Sequence, residues 1–315
     1  MKKILLIIAA VIVVLIGCDI CLTKIYTQNI PHRYASAEEG KALLLANTEY
    51  YARFSQLDID LRMNRSGATL DELLEASVSE MRDFSFIEKY FMDRRIAKMA
   101  KTLKKNAYEL PSIDEIVYVK TDMAVEMGNS GYTHGTEIYL NSASVMFSFL
   151  PGGASRYFDK LLWHELFHCL SRSDPEFRSQ MYSLIHFTVA GSDFELPPCV
   201  IGKTIINPDV EHHDSYASFL IDGQEIDCFT AWIAQNDSDN TTALIPIDGT
   251  NTYYTPDQAS NFDDVFGTNT DYVIDPEECM ADNFSYAMLY GLEGPDGQGY
   301  PDPEIIQGII DTVSR

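Results

Sequence analysis

The chain is short of positive charge. Its 315 residues hold 23 Lys and Arg against 47 Asp and Glu, a formal net charge of −24. The deficit is concentrated: residues 1–110 carry 16 basic and 14 acidic side chains, and residues 111–315 carry 7 and 33. Phosphate backbones are held by clustered Lys and Arg, so an acidic C-terminal part with no basic face excludes nucleic acid as a partner. It suits basic substrates or divalent cations, and equally a solvated surface that favours solubility. Internal repeats are absent. The run Asn236-Asp237-Ser238-Asp239-Asn240 lacks the ligand spacing of a calcium loop and reads as a solvated turn. Large apolar residues are not lacking: at 46% hydrophobic and 11% aromatic the chain is excluded from disorder and can bury one large core or two modest ones.

The longest apolar run is N-terminal. Lys2 and Lys3 precede it, it extends from Ile4 to Ile16, and it ends in Leu15-Ile16-Gly17-Cys18. That ending resembles the bacterial lipobox, with Cys18 as the lipidated residue. The expectation is a signal peptide over 1–17, a tether over 18–35 broken by Pro31, and a body lipid-anchored to the outside of the bacterial cell envelope. A transmembrane anchor reaching Leu22 is the alternative, and Asp19 counts against it. Cysteine is sparse. Beyond Cys18 and Cys21, only Cys169, Cys199, Cys228 and Cys279 remain, which an oxidising compartment could pair in three ways or leave as buried thiols.

Residues 36–110 read as helical. Leu43, Leu44, Tyr51, Phe54 and Leu57 recur near helical spacing, the pattern breaks at Asn64-Arg65-Ser66-Gly67, and it resumes through Leu70, Leu73, Leu74, Val78 and Met81. A helix from about Phe84 ends in Lys98, Lys101, Lys104 and Lys105, cations that complement a helix C-terminus and could also face a membrane. After Pro111 the character turns to β. Ile116–Val119 and Thr136–Leu140 read as strands, with Gly128–Gly131 as a loop between them. From about Ala190 to Tyr272 the chain reads as loop-rich, with short strands near Tyr216–Ile221 and Ala231–Ile233.

One helix carries the chemistry. In Trp163-His164-Glu165-Leu166-Phe167-His168 the two histidines are four residues apart, so their rings project from one face and can close on a single metal ion. This is His-Glu-x-x-His, in which two neutral imidazoles hold Zn2+ and the glutamate takes a proton from the metal-bound water. Asp174-Pro175 starts the next helix.

A catalytic zinc site needs a third protein ligand. Asp275 and Pro276 start a helix that runs to Gly291, on which Glu278 and Asp282 share a face. Glu278 is the candidate ligand and Asp282 its support from behind an imidazole, with Glu277 expected to point elsewhere. Asp275 and Glu278 also fit a capping box that involves no metal.

The pair His164-Glu165-x-x-His168 and Glu278-x-x-x-Asp282 resembles the gluzincin group, the thermolysin-like zinc metallopeptidases. The resemblance covers roughly residues 115–290. It implies an α+β, zincin-like domain over 111–315: a small mixed sheet whose edge strand, placed at Thr136–Leu140, packs on the active-site helix and binds extended peptide or protein substrate. It also implies His164, His168 and Glu278 on zinc, Glu165 as general base, Asp282 behind a ligand histidine, and a Tyr or His donor for the oxyanion. Tyr272 is the first candidate for that donor, with His213 and Tyr216 as alternatives and His134 expected at the surface. The 110 positions from His168 to Glu278 exceed those of the simplest members and must form an insertion or part of the cleft. Two functions follow as expectations: zinc-dependent peptide-bond hydrolysis outside the cytoplasm, or a non-catalytic zincin-fold envelope lipoprotein that binds a peptide or protein partner.

Overall fold

A computed structural model describes residues 17–126, 130–234 and 240–314. The signal run through Ile16 and most of the acidic turn at 236–240 lie outside the described residues. The segment expected as a tether begins with a helix over 17–27 on which Cys18 is exposed. No helix among the described residues is long and apolar enough to cross a membrane.

The architecture is mixed α+β. Among the described residues the strands form two sheets. The first contains β1 (His32–Tyr34), β2 (Met81–Arg82), β3 (Ile116–Thr121), β4 (Gly131–His134) and β5 (Glu137–Asn141). β3 is central. It pairs in parallel with β1 and β5 and antiparallel with β2, and β4 runs antiparallel to β5 at the edge. The expected helical N-terminal region is present and contributes β2 to this sheet, while β1 comes from the segment expected as a tether.

All six residues of β3 are buried because both faces are covered. Strand alternation divides them. Ile116 and Tyr118, with Ile138 and Leu140 of β5, face the long helix Phe86–Asn106 and the helix Gly153–Ser173. Val117 and Val119, with Tyr132 and Tyr139, face the N-terminal helices through Leu44 and Leu73, and Met81 of β2 joins this cluster. Capping boxes at Thr69/Glu72 and Ser85/Glu88 fix two helix starts in this region.

The edge strand differs from expectation. Residues 137–141 form the inner strand β5, and the edge is β4, in which the sequence reads Gly131 as the end of a loop and places His134 at the surface. His134 is 3% exposed and packs among Tyr50, Tyr132 and Tyr139.

The interval after His168 is better ordered than its composition suggests. The second sheet is antiparallel, in the order β6 (Thr188–Val189), β7 (Ser215–Ile221), β8 (Gln224–Ala234) and β9 (Asn240–Pro246). Asp222 and Gly223 both have positive φ, 50° and 77°, the requirement of a two-residue hairpin turn whose twist matches its strands. This sheet holds the approach to a second helix, Pro276–Tyr290. Thr230 Oγ1 donates to Asp275 at 2.9 Å, and Thr242 Oγ1 donates to the Val273 carbonyl at 3.0 Å. All four body cysteines are free thiols, with Cys169, Cys228 and Cys279 buried.

Candidate metal centre

From Leu162 to Ser171 every residue of the helix Gly153–Ser173 is buried, apolar and polar alike. Phe158, Leu162, Trp163, Leu166, Phe167 and Leu170 are all buried, each contributing about 1.5–3 kcal/mol by leaving water. Trp163 and Phe167 contact Phe284 of the facing helix Pro276–Tyr290. Polar side chains held between two such helices lose solvation and must find partners there.

His164 and His168 do so, with ring centroids 4.9 Å apart. His164 Nδ1 is 3.0 Å from Asp282 Oδ1, and its Nε2 is 3.0 Å from Glu278 Oε2. His168 Nδ1 is 2.8 Å from Glu277 Oε1. Its Nε2 is buried without a hydrogen-bond partner, 3.6 Å from Glu278 Oε2 and 3.9 Å from Asp209 Oδ1. Glu277 therefore does not point elsewhere. It accepts from Tyr182 Oη and Ser171 Oγ, both at 2.5 Å, and it orients His168 as Asp282 orients His164. The capping-box alternative is also excluded. Asp275 accepts from the Glu277 amide, and Glu278 turns to His164 instead of back to the helix start.

Glu278 Oε1 is held by Asn207 Nδ2 at 2.5 Å and by Tyr272 Oη at 3.1 Å, and the Tyr272 ring lies over His164 at 6.1 Å. Glu165 is 1% exposed; its Oε2 accepts from Thr133 Oγ1 of β4 at 2.7 Å. Gly131 makes room for it, since a Cβ there would lie 2.7 Å from Glu165 Oε1. His213 lies away from this group, near Arg53 and Phe229, and Tyr216 packs on Phe194.

No family model, curated protein or solved structure matches the chain.

The electrostatics follow from burial and pairing. Burial alone would lower the pKa of His164, but the hydrogen bonds and charges of Asp282 and Glu278 outweigh it and push the pKa well up. Burial would likewise raise Asp282, Glu277 and Glu278, yet their histidine partners hold all three below the usual range. Glu165 goes the other way: burial raises it, only partly offset by His164, His168 and Thr133. Asp209 is raised well above the ordinary value by burial and by the charges of Glu165 and Glu278.

These donors suit a metal. Ligand distances of about 2.0–2.1 Å in a tetrahedral site separate neighbouring donors by about 3.3 Å, close to the 3.0 and 3.6 Å from Glu278 Oε2 to the two imidazoles. The unpartnered Nε2 of His168 is the sharpest sign, because a buried ring nitrogen aimed at a carboxylate and a second imidazole costs free energy unless a proton or a cation joins them. A cleft of about 230 Å3, lined by Gly131, Tyr157, Lys160, Glu165 and Tyr272 among others, opens onto the group.

Three residues at this centre carried no sequence signal as functional: Asn207, Asp209 and Thr133. The first two come from a loop and the third from a strand, and only tertiary folding brings them together.

Proposed function

We propose that the protein is a zinc-dependent metallopeptidase of gluzincin type, lipid-anchored through Cys18 and acting outside the cytoplasm on peptide or protein substrates. One observation carries the reading. His164 and His168 converge on Glu278, each imidazole is held from behind by its own carboxylate, Asp282 and Glu277, and one inward nitrogen is left unpartnered. The antiparallel edge strand β4, in contact with Glu165 through Thr133, supports a zincin-like arrangement of sheet and active-site helix.

His164, His168 and Glu278 would hold the zinc, which when bound supplies a Lewis acid for the scissile carbonyl and for the attacking water. Glu165 takes the proton of that water and passes it to the leaving amine. Burial raises its pKa and so strengthens it as a base, and Thr133 fixes its orientation. Asp282 and Glu277 keep each histidine in the tautomer that turns Nε2 inward. The Tyr272 hydroxyl, 3.1 Å from Glu278 Oε1, would be the donor to the developing oxyanion.

Metal analysis and peptide hydrolysis with Glu165→Gln test the proposal. One zinc per chain is expected in both proteins, with hydrolysis lost only in the variant. Hydrolysis that survives Glu165→Gln would sink the mechanism, and zinc without hydrolysis of a broad peptide library would favour the non-catalytic alternative.

A further inference from the structure

Six of the chain's 23 Lys and Arg lie in one stretch without a single acid: Arg94, Arg95, Lys98, Lys101, Lys104 and Lys105 of the helix Phe86–Asn106. The helix macrodipole accounts for Lys104 and Lys105 alone, because its effect fades beyond the last turn. At helical spacing Ile87, Phe91, Arg94, Lys98, Lys101 and Lys105 fall on one strip. All of these but Phe91 are exposed. Arg94 and Lys98 reach Asp19 and Asp159, whereas Lys101 and Lys105 form no ion pair among the described residues.

The helix over 17–27 packs along this strip. Tyr90 Oη donates to Asp19 Oδ2 at 2.6 Å, and Lys101 Nζ lies 4.7 Å from the centre of the Tyr26 ring. Asp19, buried Thr23 and Tyr26 thus make an inner face at helical spacing. Cys18, Leu22 and Ile25 make a second face with the same spacing, and it is open: Leu22 is 53% and Ile25 58% exposed. The proposed lipid attachment therefore shares its face with two large apolar side chains, directly after the apolar run Ile4–Ile16. A cleft of about 390 Å3 opens beside this helix. Arg94, Arg95, Lys98 and Lys101 line it against a single carboxylate, Asp19.

Resting on the Cys18 anchor proposed above and not on the metal, we propose that helix 17–27 and the strip Arg94–Lys105 form a platform that docks flat on an anionic phospholipid bilayer. The cations meet phosphate headgroups, and Leu22 and Ile25 enter the layer beneath them. Charge selects this partner. Residues 111–315 carry 7 basic and 33 acidic side chains, so an anionic surface repels the body while it attracts the platform. Long Lys and Arg stems beside apolar side chains suit the boundary between headgroups and acyl chains.

Lysine acetylation of the full chain, reconstituted into vesicles and read by mass spectrometry, tests the platform. One set of vesicles is phosphatidylcholine, and the other an equimolar mixture with phosphatidylglycerol. The chain is expected to float with both. Relative to exposed Lys203, Lys101 and Lys105 should react about fivefold more slowly on the anionic vesicles, the gain of roughly one cation at such a surface. Salt at about 1 M, which screens beyond about 3 Å, should restore the neutral rate. Lys101→Glu combined with Lys105→Glu, both at exposed positions, should abolish the protection of Lys98. Flotation with both vesicles but equal rates on the two would overturn the platform and leave the anchor intact, as would protection of Lys98 that survives the double variant. Flotation with the anionic vesicles alone would uphold the platform and remove the anchor, and flotation with neither would end both. The wild-type rates decide the matter even if the double variant does not fold.

Discussion

Gly131→Ala tests the link between the edge strand and the catalytic base. The added Cβ would lie 2.7 Å from Glu165 Oε1, 3.1 Å from its Cδ and 3.3 Å from the Tyr139 carbonyl. Carbon needs roughly 3.5 Å from a neighbouring heavy atom, so something must move by about 0.8 Å. The Tyr139 carbonyl belongs to β5 and is fixed in the sheet, which leaves the Glu165 carboxylate to give way. Glu165 is buried and tethered to Thr133, so its displacement breaks a 2.7 Å hydrogen bond as well as the aim of the base. Overpacking of this kind costs about 1–3 kcal/mol of stability. A misplacement approaching 1 Å costs on the order of 100-fold in rate. Hydrolysis of a peptide pool, read as kcat/KM beside a thermal melt and a zinc assay, should therefore show a folded, zinc-loaded protein with about 100-fold lower activity. Full activity in Gly131→Ala at unchanged stability would refute the placement of Glu165 as base.

Three further outcomes follow from the structure. Glu277→Gln should lower zinc affinity by about 10–100-fold in chelator competition, because His168 loses the carboxylate that orients it; unchanged affinity would remove Glu277 from the site. His134 is depressed to about 3, first by burial and then by the charges of Arg172 and Arg62, so below its unfolded value near 6.5 only the unfolded chain takes up the proton. Stability is thus present above that value and lost as pH falls towards 3, by about 1.4 kcal/mol per pH unit for this group. Urea melts from pH 6 to pH 4 should show a slope reduced by about that amount in His134→Phe, and parallel slopes would contradict it. Arg62→Met should cost about 3–5 kcal/mol, since it strands Glu126, bonded at 2.6 Å, and Asp58 in the interior. A loss under 1 kcal/mol in denaturant would show that the pair is dispensable.

Much of the site was legible because its two halves lie on helices. Spacing alone places His164 beside His168 and Glu278 beside Asp282, and Asp275-Pro276 and Asp174-Pro175 mark helix starts that the fold keeps. The edge strand was not legible. Gly131-Tyr132-Thr133-His134 is short, begins with glycine and ends in histidine, and its glycine is set by the approach of Glu165, a tertiary fact. Helical phase turns Glu277 away from the face of Glu278 and Asp282, yet two helices crossing closely let adjacent residues straddle the contact, so Glu277 reaches His168 while Glu278 reaches His164. Asp209 had no periodic neighbour to announce it. The hairpin at Asp222-Gly223 did carry a readable signal, an Asp-Gly turn between apolar strands, which the polar composition of that interval obscured.

Anomalous diffraction at the zinc edge from crystals of zinc-loaded protein is the most direct test of the central claim. The account predicts one peak per chain, about 2.0–2.2 Å from Nε2 of His164, Nε2 of His168 and an oxygen of Glu278. A peak elsewhere, or none with these side chains still hydrogen-bonded to one another, would contradict it.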